Sequence, residues 1–117
     1  MTLTQEEKKK IAELKKDLPQ KLALVLTPEA RQHLKEIASN PHFKGLEFQA
    51  KAALVKLVHN PKHSGLNSHK FYGLSKMFHM DVWESYIQNN TPGAWRIFWH
   101  YGAEKNMLTV LMITTHP

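Results

Sequence analysis

Histidine is the residue type in this sequence that stands out for chemistry. Eight histidines occur in the chain, and six of them lie between His59 and His116. Imidazole both transfers protons near neutral pH and binds metal ions. His59 and His63 have an H-x-x-x-H spacing, but Pro61 between them predicts a loop, so the two rings are not preorganised on one helical face. We therefore expect no metal site and no small-molecule cofactor, and loop or surface positions for these histidines.

The patterns of several other enzyme classes are missing. Ser64, Ser68 and Ser75 do not occur in the G-x-S-x-G context of a hydrolase nucleophile. The glycines are isolated or belong to turn segments, so the sequence contains no glycine-rich phosphate loop. The chain has no cysteine. This excludes a thiol nucleophile, a disulfide framework and a cysteine-based metal site.

Arg96 is the most informative charged residue. It lies in a segment whose other members are aromatic or aliphatic, with Trp95 and Ile97 beside it. A guanidinium in such a strand must meet the edge of the sheet, a carboxylate or an anionic ligand. Glu84, on the preceding predicted strand, is a plausible cross-strand neighbour, so both a structural ion pair and a functional site are open interpretations.

The N-terminal residues predict a separate helix. Thr4 and Glu7 have the spacing of a capping box. Apolar residues then recur at helical spacing until Pro19 ends the run: Ile11, Leu14 and Leu18. This apolar stripe is narrow, so we expect the helix to pack by one edge on the body of the protein. We divide the chain into an N-terminal helical extension over residues 1–20 and a main domain over residues 21–117.

The main domain begins with one predicted strand and two predicted helices. Residues 21–26 are a nearly continuous apolar run, which predicts a strand buried on both faces. Thr27 and Pro28 form a strong helix start, and this helix ends before Pro41. A third helix follows, has its apolar residues on one side and ends before Pro61.

The second half predicts strands. Nine of the eleven aromatic residues lie between Phe71 and Tyr101, an enrichment typical of β-structure. Strands are predicted over residues 81–88, 94–101 and 107–114, joined by turn segments. These elements predict an α+β domain in which a helical hairpin packs on a mainly antiparallel four-stranded sheet.

The strand over residues 94–101 alternates between two faces. We expect one face to bury against the helices: Trp95, Ile97, Trp99 and Tyr101. The other face carries Arg96, Phe98 and His100. A five-residue hairpin loop after Tyr101 predicts that residue 96 lies near residue 112, so that His116 extends past the start of the Arg96 strand.

The charge of the chain favours an anionic partner. Sixteen basic and ten acidic side chains among 117 residues give a net charge of +6, which attracts nucleic acid or an acidic protein over long range. No apolar run approaches the roughly 18 residues of a membrane span, and the N-terminus does not have the pattern of a signal peptide. We expect a cytoplasmic protein with no membrane contact.

The order of these elements and several short strings resemble the RelE/ParE superfamily of toxins from type II toxin–antitoxin systems. The resemblance covers about residues 21–116. Residues 24–30 look like the family's first strand entering its first helix, and residues 69–74 are similar to a short apolar-x-Gly segment after the helical hairpin. Residues 82–84 resemble the next strand, and residues 94–99 match the aromatic-Arg-aliphatic strand of many members.

The resemblance implies a ribosome-dependent mRNA endoribonuclease that inhibits translation. The ribose 2′-hydroxyl is then an internal nucleophile, so the protein supplies a base, an acid and a cation for the in-line phosphorane. Arg96 matches the family's strand arginine and is the candidate cation. His69, four residues before Gly73, resembles a histidine of the YafQ-type members and is the candidate base.

Two further site candidates follow from the same resemblance. His116, after Thr114 and Thr115, resembles the C-terminal histidine of the YafQ-type members and is the candidate acid. Glu84 is the acidic residue nearest to the middle strands of that site. Lys70 and Lys76 are the candidate RNA-binding residues. We expect the catalytic candidates to converge at one concave, basic edge of the sheet: His69, Arg96 and His116.

The implied partners are a small cognate antitoxin, the ribosome and mRNA. Two alternatives remain open on the sequence. One is a non-catalytic ParE-like toxin that poisons DNA gyrase and has no acid–base set. The other is a binding module, either a degenerate member that binds an antitoxin or a stand-alone module with no obligate partner.

Overall fold

The structure, a computed structural model, describes residues 2–16, 22–88, 93–102 and 104–115. The α-helices in these ranges are α1 (Gln5–Lys16), α2 (Pro28–Ser39), α3 (Leu46–His59) and α4 (Tyr72–Phe78). The strands are β1 (Ala23–Leu26), β2 (His69–Lys70), β3 (Trp83–Tyr86), β4 (Arg96–Tyr101) and β5 (Met107–Thr114). The chain is α+β, as predicted.

The strands form one mixed sheet in the order β1-β5-β4-β3-β2. β1 runs parallel to β5, and the other neighbouring strands are antiparallel. The predicted four-stranded sheet is therefore wrong in strand number. The additional strand is β2, whose two residues are too few to show a period-2 pattern in the sequence.

β1 lies at an edge of the sheet. Leu24 and Val25 are exposed, so the prediction of a strand buried on both faces is wrong. A short apolar run fits a buried strand and an edge strand equally well, because periodicity does not report how many neighbours a strand has. The parallel pairing places Leu24 opposite Leu108, and within the part of the chain that the structure describes no strand lies on the far side of β1.

The predicted helix starts are confirmed by their hydrogen bonds. In the capping box of α1, the Glu7 amide donates to Thr4 Oγ1 over 3.1 Å and the Thr4 amide donates to Glu7 Oε1 over 3.0 Å. At the start of α2, Thr27 Oγ1 accepts from the Ala30 amide over 3.1 Å. The same hydroxyl donates to the Leu111 carbonyl over 2.8 Å and so ties α2 to β5.

Helices α2 and α3 cover one face of the sheet, which we call the helix-pair face. Ile97 and Trp99 are fully buried there, as predicted, and Trp95 packs beside them. Tyr101 differs from the prediction because it lies at the end of β4, where it is half exposed. The buried residues that helices and strands contribute to this core are Ala30, Ile37, Leu46, Ala53, Leu54, Leu57, Ile97, Trp99, Leu108, Val110 and Ile113.

The N-terminal helix α1 packs on α3. Its Ile11 is buried, which agrees with the expected one-edged packing on the body of the protein. The side chains of Leu14 and Leu18 lie outside the described part of the chain. Within the described ranges, no helix combines the length and hydropathy of a membrane span.

The register between β4 and β5 differs from the prediction by two residues. Arg96 lies opposite Thr114, and it is Phe98 that lies opposite Met112. One residue of the difference arises at the hairpin, and the other arises at a β-bulge beside Phe98, where Leu111 is the extra residue.

The opposite face of the sheet carries the short helix α4, and we call it the α4 face. Leu74 of α4 packs on Val82 and Phe98, and all three are buried. Ser75 fixes the helix to the chain before β3, since its Oγ accepts from the Val82 amide over 2.8 Å and donates to the Phe71 carbonyl over 2.9 Å. α4 therefore covers one end of this face, and polar residues occupy the other end.

Candidate functional site

A buried carboxylate lies at the centre of the polar end of the α4 face. Glu84 is 2% exposed and sits in the middle of β3, on the same face as Arg96 of β4 and His69 of β2. A buried ionised carboxylate is costly unless it is paired. Among the described residues, His69 and Arg96 are its ionisable partners, one from each neighbouring strand.

The strand registers bring these three residues together. His69 lies opposite Glu84, whereas the residue opposite Arg96 is Tyr86, two positions along β3. Arg96 therefore reaches Glu84 along the diagonal, a separation that a long side chain spans. The predicted cross-strand proximity of Glu84 and Arg96 is confirmed, and it takes the form of an ion pair.

The Arg96 guanidinium is held by charge and by an aromatic ring. Its Nη1 lies 2.7 Å from Glu84 Oε1, which makes the two groups a buried ion pair. The guanidinium carbon lies 4.9 Å from the centre of the Tyr86 ring, within cation–π range. Arg96 Nε is buried and has no hydrogen-bond partner among the described residues.

His69 is positioned through both ring nitrogens. Nδ1 donates to the Asn67 carbonyl over 2.8 Å, because a carbonyl oxygen only accepts. This bond leaves Nε2 facing Glu84 Oε2 at 3.4 Å. Asn67 adopts a left-handed backbone with φ of 48°, a conformation that asparagine tolerates better than most residues. The side chain of His69 is 49% exposed and open to approach.

The segment that carries His69 is attached to β3 by a buried serine. Ser85 lies on the helix-pair face, where the indole Nε1 of Trp99 donates to its hydroxyl over 2.8 Å. The hydroxyls of Ser85 and Ser68 lie 2.6 Å apart. Ser68 directly precedes His69, so these bonds connect the position of the imidazole to the core.

Tyr86 is the site residue that the sequence reasoning missed. Its ring lies against Arg96 and has its centroid 5.8 Å from that of the His69 imidazole. The sequence does indicate that Tyr86 lies on the same face as Glu84, because the two residues are two positions apart on one strand. Its contact with Arg96 depends on the β3–β4 register, which the spacing does not supply.

The other candidates are more widely placed. Lys70 follows His69 on β2 and therefore points to the opposite side of the sheet, where it contacts Asp81 and two aromatic rings. Lys76 is exposed in the last turn of α4. His116 lies outside the described residues, so its predicted convergence with His69 and Arg96 stays a prediction.

The imidazole rings of the H-x-x-x-H pair form hydrogen bonds with backbone groups. His59 is the last residue of α3, and its Nδ1 donates to the Val55 carbonyl over 2.8 Å. Beyond the helix, His63 Nδ1 accepts from the Gly65 amide over 3.0 Å. Within the described ranges, no three histidine, aspartate or glutamate side chains form a group that fits a metal ion.

The combination of groups in this site can transfer a proton and stabilise negative charge. An exposed imidazole lies beside a buried carboxylate, and the same carboxylate holds a permanently charged guanidinium. Such a set suits acid–base chemistry on an anionic substrate better than nucleophilic catalysis, since none of the three groups is an activated hydroxyl or thiol. In comparisons with protein-family models, curated proteins and solved structures, no match to this chain was found.

Proposed function

We propose that this protein is the toxin of a type II toxin–antitoxin system, of the RelE/ParE kind, and that it cleaves mRNA on the translating ribosome in the cytoplasm. The observation that carries the proposal is the placement of His69 and Arg96 on one buried carboxylate, Glu84. These are the base and the cation that the sequence resemblance implies. The net charge of +6 supports an anionic substrate.

In the proposed reaction His69 removes the proton of the ribose 2′-hydroxyl. Nδ1 is already protonated in its bond to Asn67, so Nε2 is the nitrogen that accepts the proton. The 2′-oxygen attacks the adjacent phosphorus, a 2′,3′-cyclic phosphate forms, and the bond to the 5′-oxygen breaks. The leaving 5′-oxygen takes a proton from an acid, the role that the resemblance gives to His116.

Glu84 acts in this scheme as a positioning residue. Its Oε2 lies beside the nitrogen that receives the proton, where a carboxylate stabilises the imidazolium that forms. Its Oε1 holds the guanidinium of Arg96 in place. Glu84 and Arg96 cancel in charge, so the three-residue site becomes net positive when His69 is protonated. The positive charge thus develops together with the negative charge on the phosphorane.

The proposal includes a protein partner. A toxin is silenced in its own cell, so we expect a small antitoxin encoded next to this chain. A disordered, partly acidic segment of that antitoxin fits the basic character of the toxin and becomes ordered on binding. An isolated gene with no small neighbour contradicts this part of the proposal.

The decisive experiment is induced expression in bacteria, scored by growth arrest and by mapping mRNA ends on translating ribosomes. Wild type is expected to arrest growth and cut mRNA. Arg96→Ala is expected to lower the cleavage rate about 10²–10³-fold, since it removes charge stabilisation. His69→Ala and His116→Ala are expected to lower it about 10²–10⁴-fold, the usual contribution of an acid or base.

Matched controls are available in the chain. Arg31→Ala removes the other arginine, which is exposed on α2, and His42→Ala removes an exposed histidine. Both are expected to cut as wild type does. Growth arrest without mRNA cleavage favours the gyrase-poison alternative. Full cleavage by both His69→Ala and Arg96→Ala shows that the reaction uses other residues.

A further inference from the structure

A second set of side chains lies across the β2 edge from the candidate site, and we call it the aromatic row: Tyr72, Lys70, Trp83 and Tyr101. Lys70 Nζ lies 5.8 Å from the centre of the Tyr72 ring and 5.9 Å from the centre of the Trp83 ring. The rings of Trp83 and Tyr101 are 6.4 Å apart. One ammonium and three rings therefore follow one another from α4 to the end of β4.

The row is exposed, yet its inner part packs on the core. Tyr72 is 75% exposed and Tyr101 is 50% exposed. Trp99 lies beneath the row in the core, stacked on Trp83 with 5.8 Å between centroids and edge-on to Tyr101 at 5.0 Å. A buried indole thus fixes the orientation of two rings that meet solvent. Exposed aromatic rings held in this way are poor contributors to a core but good stacking surfaces.

We infer that the aromatic row binds the unpaired bases of a single-stranded RNA. Aromatic rings stack on any base, and an interleaved lysine pairs with the phosphates, which is the usual composition of a single-strand surface. The choice of RNA rests on the proposed function. The row extends the same site, since Lys70 follows His69 on the edge strand β2 and the two side chains point to opposite sides of the sheet. A strand that passes around this edge contacts both.

The carboxylate of Asp81 lowers the attraction of the row for phosphate. Asp81 Oδ1 lies 3.4 Å from Lys70 Nζ, and the aspartate side chain is 68% exposed. An RNA strand competes with this carboxylate for the ammonium. Removing the charge at residue 81 is therefore expected to strengthen binding, whereas an ion pair with a purely structural role predicts no change in binding.

The test uses fluorescence anisotropy of the full chain with a labelled oligoadenylate of about twelve nucleotides. The probe carries 2′-O-methyl groups and so has no 2′-hydroxyl that can attack. Wild type is expected to bind it more tightly than an abasic chain of the same length. Tyr72→Ala and Tyr101→Leu are each expected to weaken binding about tenfold, the effect of losing one stacked base. Asp81→Asn is expected to strengthen it.

The matched control is Met77→Ala on α4, which removes an apolar side chain that is 69% exposed and lies outside the row. It is expected to bind as wild type does. Tyr72→Ala changes a mostly exposed residue, and its helix content by circular dichroism checks that the fold is intact. Equal binding of the abasic chain, unchanged binding in both tyrosine variants, or no binding by wild type overturns the inference.

The two proposals fail in different ways. Oligoadenylate binding that depends on the tyrosines, without mRNA cleavage by wild type, overturns the proposed nuclease and supports the row. Cleavage that depends on His69 and Arg96, with unchanged oligoadenylate binding in Tyr72→Ala and Tyr101→Leu, overturns the row alone.

Discussion

The two faces of the sheet are built from the same strands but hold different kinds of residue. On β4, Ile97 and Trp99 point into the apolar core under α2 and α3, whereas Arg96 and Phe98 point to the other side. The helix-pair face is apolar along almost its whole length. The α4 face is apolar only where α4 covers it and is charged at its other end, around Glu84.

This difference shows how a small domain keeps its main apolar core and its buried charged residues on opposite faces of one sheet. Two long helices bury one face, so the main core is built almost entirely from apolar residues. The seven-residue helix α4 covers only part of the second face, and the remainder holds a charged set that a continuous core excludes. Removing residues from each face in turn tests this division.

The largest loss is expected from Trp99→Ala on the helix-pair face. This change removes a fully buried indole and its hydrogen bond to Ser85, so we expect the free energy of unfolding to fall by about 3–5 kcal/mol. Urea denaturation followed by circular dichroism measures it. The control is His100→Ala, the next residue along β4 and on the other face, for which we expect a loss below about 1 kcal/mol. Equal losses contradict the division.

A second prediction concerns the buried charge on the α4 face. Glu84→Gln leaves the Arg96 guanidinium without its counter-charge and is expected to lower the free energy of unfolding by about 3 kcal/mol. The double variant Glu84→Leu with Arg96→Met removes both charges and is expected to recover stability to within about 1 kcal/mol of wild type. Its rate of mRNA cleavage is also expected to fall about 10²–10³-fold, as for Arg96→Ala, because the cation is gone.

The control for this pair is Glu47→Gln. Glu47 is buried on α3, but its partner Lys51, 2.9 Å away, is 42% exposed. Because water screens the lysine, we expect a loss below about 1 kcal/mol. A double variant that is as unstable as Glu84→Gln refutes the buried-charge explanation.

The smallest effect is expected at Tyr101, where the helix-pair face meets solvent. Burial raises the pKa of the Tyr101 hydroxyl above its ordinary value of 10.0. As the pH rises through 10, the unfolded chain therefore releases this proton before the folded chain does. The contribution of the neutral phenol to the free energy of unfolding is present below pH 10 and is lost as the pH rises further. Tyr101→Phe removes this loss.

The measurement is the difference in free energy of unfolding between wild type and Tyr101→Phe at neutral pH and above pH 10. We expect the difference to shift in favour of the variant at the higher pH. Tyr72→Phe controls for the general effect of losing a phenol. A difference that does not change with pH contradicts the prediction.

Much of the local structure was predictable from the sequence. The capping box at Thr4, the start of α2 at Thr27 and the bounds of β5 agree with the structure. Each of these signals acts over a few residues. The alternation of β4 also predicted that Arg96 and Phe98 share a face, since neighbouring side chains in a strand point in opposite directions.

Three of the incorrect predictions involve distant parts of the chain. The exposed edge position of β1 depends on which strand pairs with β5. The residue opposite Arg96 is Thr114 instead of residue 112, and this register depends on how the hairpin closes and on the bulge at Leu111. Strand β2 has only two residues, and it forms because its backbone pairs with that of β3.

The sequence by itself determined the residue types of the candidate site, the face of β4 that carries Arg96, and the basic charge of the chain. The tertiary structure decided that Glu84 lies between His69 and Arg96 and that Tyr86 lies against the guanidinium. The physical reason is that a side chain's direction follows from local backbone geometry. Its neighbours follow from strand register, which turn closure, bulges and core packing fix together.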